Sequence, residues 1–240
     1  MNRLIFVFFL SLSFFGCTNS EIDERNSYKN IDNPVQVVNP NIKIFNYLAL
    51  GDSYTIGQSV CATCRFPEQL KSALTSRNSF VNVQVIAQTG WTTTNLKSAI
   101  ALNIPTNTYD IATLLIGVNN QYQNKPFSLY EQEFPELVNT AIAKVGGNKN
   151  RLIVVSIPDY AFTPFGGGST SISIALMQYN SFVESFCATN NITFVNITDI
   201  TQQGIINPAL VASDGLHPSE LAYSRFVERI LPKAKLVLGL

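Results

Sequence analysis

Two short stretches carry residues whose types suit acyl transfer. Ser53 lies in Gly51-Asp52-Ser53-Tyr54-Thr55-Ile56-Gly57, directly after the apolar run Phe45 to Leu50. His217, the only histidine among 240 residues, lies in Asp214-Gly215-Leu216-His217-Pro218. A serine hydroxyl is a weak nucleophile at neutral pH. It needs a positioned base, which in turn needs a partner that fixes its tautomer and stabilises the imidazolium. With a single histidine, any imidazole base for Ser53 is His217. Asp214, three residues earlier, can fold its carboxylate back to the ring nitrogen facing away from Ser53 if the chain turns tightly at Gly215. Glycines on both sides of Ser53 allow a sharp turn and a close approach of substrate. Open α/β sheets place their chemistry at the carboxyl ends of strands, so Phe45 to Leu50 is expected to be a buried strand that delivers Ser53.

Two further blocks lie between these stretches, Ala87-Gln88-Thr89-Gly90-Trp91-Thr92 and Gly117-Val118-Asn119-Asn120. With all four blocks in this order, the chain resembles the SGNH hydrolases of the GDSL esterase and lipase superfamily, from Phe45 to the end of the sequence. The resemblance implies Ser53 as nucleophile, His217 as base and Asp214 as its orienter. It also implies an oxyanion hole made of the backbone N–H groups of Ser53 and Gly90 with the Asn119 side chain. One departure stands out: the family's third block usually ends Asn-Asp, and here Asn120 replaces the aspartate. The implied fold is a flavodoxin-like three-layer α/β/α sandwich.

The elements that must position these residues follow from periodicity. Apolar runs predict strands at Phe45 to Leu50, Val81 to Ala87, Ile111 to Ile116, Leu152 to Ile157 and Ile192 to Val195. Helical spacing predicts helices near Pro67 to Ser76, Thr94 to Leu102, Ser128 to Val145, Ile172 to Thr189 and Pro218 to Ile230. Ser128 with Glu131 reads as a capping box, and Pro218 as a helix-initiating proline. Ile172, Leu176, Tyr179 and Val183 read as one core face. Five strands joined by helical crossovers imply an α/β fold with a five-stranded, mainly parallel sheet covered on both faces. Four loops at one edge of that sheet then bring Ser53, Gly90, Asn119 and the Asp214–His217 pair together.

Around this core the readings are coarser. Arg3, an apolar stretch from Leu4 to Phe15 and then Gly16-Cys17 read as a leader too short to span a bilayer. The Gly16-Cys17 pair resembles a bacterial lipoprotein cleavage site. This divides the chain into a signal peptide (1–16), a lipidated N-terminus with a flexible tether (17–42) and a catalytic domain (43–240). The implied location is the bacterial envelope, anchored to a membrane through Cys17. Formal charge is zero over the whole chain, and with no basic patch nucleic acid is not an expected partner; a monomer is expected. Cys61 and Cys64 form a C-x-x-C without the second pair or histidines that zinc needs. A loop disulfide is the expected state, with Cys187 a buried thiol and a pairing between Cys187 and one of the others left open. Neither metal nor cofactor is called for.

Trp91, Asn120 and Tyr160 are candidate substrate-binding residues, with Trp91 equally readable as a packed core side chain. Asp159-Tyr160 and the run Gly166-Gly167-Gly168 are expected in a loop bordering the same edge, as a flexible connection or a lid. The reading for function is a serine esterase acting on acyl or acetyl esters of glycans, lipids or small molecules. The alternatives are a glycan-binding surface lipoprotein without hydrolysis, and an acyltransferase that uses the same site.

Overall fold

The computed structural model describes residues 41–103 and 108–240. The leader, the tether and the lipidation site at Cys17 lie outside the described residues. In chain order the elements are β1 (Lys43–Gly51), α1 (Ser53–Ile56), α2 (Phe66–Leu74), β2 (Ser79–Ala87), α3 (Thr93–Asn103), β3 (Ile111–Leu115), α4 (Val118–Tyr122), α5 (Phe127–Lys144), β4 (Leu152–Val155), α6 (Thr170–Asn190), β5 (Thr193–Val195), α7 (Thr198–Thr201) and α8 (Glu220–Leu238). The sheet has the order β2-β1-β3-β4-β5 and every pair is parallel.

Strand composition explains this arrangement. Tyr47 to Leu50, all of β3 and all of β4 are buried, so both faces of these strands are covered. That is the environment which selects continuous apolar runs over alternating ones. α2 packs with α8, and α3 with α5. A ladder of rings joins α5 to α6: Tyr130 lies 4.6 Å from Tyr179, and Phe134 lies 6.2 Å from Phe182. β1 runs two residues earlier than the apolar pattern suggests because Lys43 and Ile44 still pair with Ser79 and Phe80. Main-chain pairing continues there after burial has ended.

Two helix starts differ from expectation. α5 begins at Phe127 with Pro126 in the cap position and no side-chain cap, so Ser128 lies inside the helix and the capping box with Glu131 does not form. Pro126, extended at φ −54° and ψ 134°, already sets the chain for its first turn. Pro218 does not initiate α8 but forms an antiparallel bridge with Val211. Ser219 is the cap, its Oγ accepting from the Ala222 N–H at 3.2 Å, as side-chain oxygens do at this position. α8 then runs past Ile230, through Pro232, to Leu238. The Gly166 to Gly168 loop is pinned rather than free: Gly167 N–H donates to Thr163 O, Gly168 N–H to Ala161 O, and Phe165 N–H to Gly215 O at 3.0 Å.

Candidate active site

Ser53 is the first residue of α1, immediately beyond the carboxyl end of β1, the strand between β2 and β3, and is 3% exposed. Asp52 caps the helix, its Oδ1 accepting from Tyr54 N–H at 3.0 Å. The backbone N–H groups of a helix's first turn have no intrahelical acceptor, which leaves that of Ser53 suited to an anionic oxygen. Gly90 follows β2 with φ 84°, a left-handed conformation that side chains disfavour. Asn119 sits one residue into α4, after β3. Its placement depends on Gly117, whose φ is 136° and where a Cβ would lie 2.7 Å from the Tyr130 ring.

Asp214 and His217 are built in a tight turn. Asp214 Oδ1 accepts the backbone N–H groups of Leu216 and His217, each at 2.9 Å, while Oδ2 lies 2.6 Å from His217 Nδ1 and 2.6 Å from Ser59 Oγ. The remaining imidazole nitrogen, Nε2, is thereby left for proton exchange. Burial works against ionisation of Asp214, but the hydrogen bonds from Ser59, from the His217 ring and from the two backbone N–H groups outweigh it. They hold the carboxyl well below the usual range. The His217 ring rests against Tyr54, with centroids 5.3 Å apart.

Ser53, Gly90, Asn119 and His217 all line one cleft of about 190 Å³. Apart from Thr89, its other walls are apolar or aromatic: Tyr54, Val118, Tyr122, Tyr160, Phe165 and Leu216. Tyr122, Tyr160 and Phe165 form a mutual ring cluster with centroids 6.1 to 6.3 Å apart. Tyr160 is the buried member, its hydroxyl donating to Gln121 Oε1 at 2.8 Å. A larger depression of about 540 Å³, against Asn46, Asn82 and Tyr109, has no serine, cysteine, histidine or carboxylate among the described residues of its walls. Among the described residues no group of three His, Cys, Asp or Glu side chains is placed to hold a metal ion.

Two of the three candidate substrate-binding residues belong to the scaffold. The Trp91 side chain packs against the core and its carbonyl accepts from Asn119 Nδ2 at 3.1 Å, so its backbone holds the Asn119 amide in place. Asn120 is wholly buried. It accepts Thr93 N–H at 3.0 Å and donates to Thr93 Oγ at 2.7 Å, and that hydroxyl in turn donates to buried Glu133. An aspartate could not donate to Thr93 and would add a second buried carboxylate near Glu133, a physical reason for the amide here. Tyr160 does line the cleft. Sequence reasoning missed Tyr122 and Phe165; Tyr122, three residues after Asn119 on the same helical face, is the one that spacing could have found. Cys61 and Cys64 form a disulfide, and Cys187 is a free buried thiol whose pKa burial pushes up to about 12.

Asp52 sets a pH dependence of its own. Full burial pushes its carboxyl from 3.8 up to about 7, opposed by the Tyr54 N–H and by the Asn119 amide 3.5 Å away. A folded value above the unfolded one means that the folded state holds the proton longer. Asp52's contribution to stability is then complete below about pH 4 and is lost as pH rises through about 7. Asp52→Asn should remove this slope. Denaturation curves taken across this range would refute the assignment if wild type and variant stay parallel.

The structure resembles several solved esterases and acylhydrolases. The lipase/acylhydrolase from Enterococcus faecalis aligns with a TM-score of 0.62 and 18% identity, over 80% of this chain and 95% of that one. The acetylxylan esterase Axe2 from Geobacillus stearothermophilus aligns with a TM-score of 0.58 and 19% identity, over 81% and 96%. The psychrotrophic esterase EstA from Pseudoalteromonas sp., in a structure inhibited by monoethylphosphonate, aligns with a TM-score of 0.59 and 16% identity, over 82% and 100%. At these identities the likeness speaks for the fold. No curated protein matches the chain. The family model of the GDSL-like lipases and acylhydrolases matches residues 49–225, a span that contains every residue of the cleft: the chain belongs to the GDSL-like lipase/acylhydrolase family, and it is an ester-bond hydrolase.

Proposed function

We propose that the protein hydrolyses carboxylic esters through an acyl-enzyme on Ser53. His217 Nε2 takes the hydroxyl proton as Ser53 Oγ attacks the ester carbonyl. The negative charge that gathers on the carbonyl oxygen is met by the Ser53 and Gly90 N–H groups and the Asn119 amide. The tetrahedral species collapses with loss of the alcohol, which leaves with the proton from His217. A water molecule, deprotonated by the same nitrogen, then attacks the acyl-enzyme, and its collapse releases the carboxylic acid and restores Ser53. The observation that carries this reading is the 2.6 Å contact of Asp214 Oδ2 with His217 Nδ1, in a ring that lines the same cleft as Ser53. It fixes the tautomer in which Nε2 accepts a proton.

The largely apolar cleft wall supports one substrate class over the others. Tyr122, Tyr160 and Phe165 offer no charged group to a sugar hydroxyl or a phosphate, and they suit an acyl chain longer than acetyl. Each buried methylene contributes about 0.8 kcal/mol, or roughly fourfold in kcat/KM. Hydrolysis of p-nitrophenyl acetate, butyrate and hexanoate, alongside acetylated polysaccharide, tests this with Ser53→Ala as the control. Phe165→Ala should cut the butyrate-to-acetate ratio by about tenfold with little change on acetate itself. An unchanged ratio would take Phe165 out of the acyl site.

A further inference from the structure

The loop after α1 contains a residue whose backbone and side chain ask for different explanations. Ser59 has φ 67°, in the left-handed region where glycine is favoured and other residues are uncommon. A serine held there invites a reason in its hydroxyl. The hydroxyl donates to Asp214 Oδ2 at 2.6 Å, across 155 positions of sequence. That oxygen is the one facing His217 Nδ1, whereas Oδ1 is taken by the backbone of the turn. Ser59 therefore shares with His217 the oxygen on which the histidine's orientation depends.

The loop carrying Ser59 is tied on each side to a different part of the site. Gly57 and Gln58 N–H both donate to Ser53 O at 3.0 Å, at the nucleophile. Gln58 Oε1 accepts from Thr89 Oγ at 2.7 Å, in the loop that carries Gly90. Beyond Ser59, the Cys61–Cys64 disulfide closes the chain. Gln69 Nε2 then donates both to Cys64 O and to Glu220 O, at the start of the helix that follows His217. Ser59 is thus presented from a short strap fixed to the nucleophile, the oxyanion loop and α8 together.

We propose that Ser59 is a positioning residue for catalysis, its hydroxyl fixing the Asp214 carboxylate so that Oδ2 stays aimed at His217 Nδ1. The proposal rests on the catalytic reading of Asp214 and His217 above. Ser59 is outside the cleft lining, so its effect falls on turnover and not on substrate binding. It also stabilises the carboxylate directly, as the leading hydrogen bond that draws the Asp214 pKa down against the effect of burial.

Ser59→Gly and Ser59→Ala separate the hydroxyl from the backbone. Both remove the donor, while only glycine relaxes the left-handed conformation. With a p-nitrophenyl ester, both should lose about tenfold in kcat with KM within about twofold. That is the low end for a hydrogen bond to a charged group, because Ser59 is exposed and water takes part of its place. Ser59→Gly should keep a melting temperature within about 4 °C of wild type, since relief of strain offsets the added freedom of the unfolded chain. The Nδ1–H proton resonance of His217, the sole histidine, should move in both variants. Wild-type kcat in Ser59→Gly would overturn the proposal, as would a loss of kcat that only tracks a loss of melting temperature. If Ser53→Ala still hydrolyses ester, the catalytic reading itself has failed. The His217 resonance then decides on Ser59 alone, and an unmoved signal in Ser59→Gly overturns it.

Discussion

Ser53→Ala is expected to lose about 10⁵- to 10⁶-fold in kcat/KM on any ester the wild type hydrolyses, the scale seen when a serine hydrolase loses its nucleophile. A residual rate above that of water should survive, because the oxyanion donors and the cleft are untouched. The change removes one oxygen from a residue whose backbone, and not its side chain, builds the turn: Ser53 O accepts from Gly57 and Gln58. Stability should therefore move little. A fluorophosphonate probe, which traps a serine activated for acyl transfer, should label wild type at Ser53 and leave the variant unlabelled. Labelling that persists in Ser53→Ala would place the nucleophile elsewhere.

His217→Ala is expected to produce a loss of similar size, since no second histidine exists to take over. The wild-type pH profile follows from the same fact. A base must be neutral to accept the Ser53 proton, so kcat/KM rises with pH and acid inactivates reversibly. Asp214 adds no second step to that limb, because its hydrogen bonds keep it ionised far into acid. A depressed carboxylate contributes stability that is present above its unfolded value and lost only as pH falls through the folded one. Asp52, at about 7, is the group that could be mistaken for the base; the acid limb should survive in Asp52→Asn. An NMR titration of His217 that fails to coincide with the rise in kcat/KM would end its assignment as base.

The Asp52 contribution to stability therefore falls as pH rises through about 7, the sense opposite to the rise expected of kcat/KM. Raising pH ionises Asp52 in a site that burial makes hostile to charge. The carboxylate that caps the helix beginning at Ser53 thus makes folding free energy depend on pH at the floor of the cleft.

Legibility in the sequence followed burial and locality. β1, β3 and β4 could be read because strands covered on both faces leave uninterrupted apolar runs such as Tyr47 to Leu50. The four family blocks could be read because each holds its own residues within a few positions. Helix starts were less legible. Ser128 and Pro218 carry the right local chemistry, but Pro126 had already begun one helix and the Val211 bridge had claimed the other proline. Asn120 looked like a site residue by adjacency to Asn119, yet successive residues on a helix face different ways, and Asn120 turns inward to Thr93. Phe165 and Ser59 left no local signal at all. Phe165 enters the cleft because its loop is pinned to Gly215, and Ser59 matters only through a carboxylate 155 positions away.

That long separation shapes the order in which the enzyme comes into being. The strap and the nucleophile lie near the start of the domain, while Asp214 and His217 arrive just before α8, the helix that packs on α2. At ribosomal rates of about 5–20 residues per second, roughly 10–30 s separate the synthesis of Ser53 from that of His217. Throughout that interval the hydroxyl is an ordinary alcohol. A parallel sheet assembles slowly because each pairing must close a long crossover. A chain that has zipped β2, β1 and β3 together but has not docked α8 therefore has Ser53, Gly90 and Asn119 in place and no imidazole beside them.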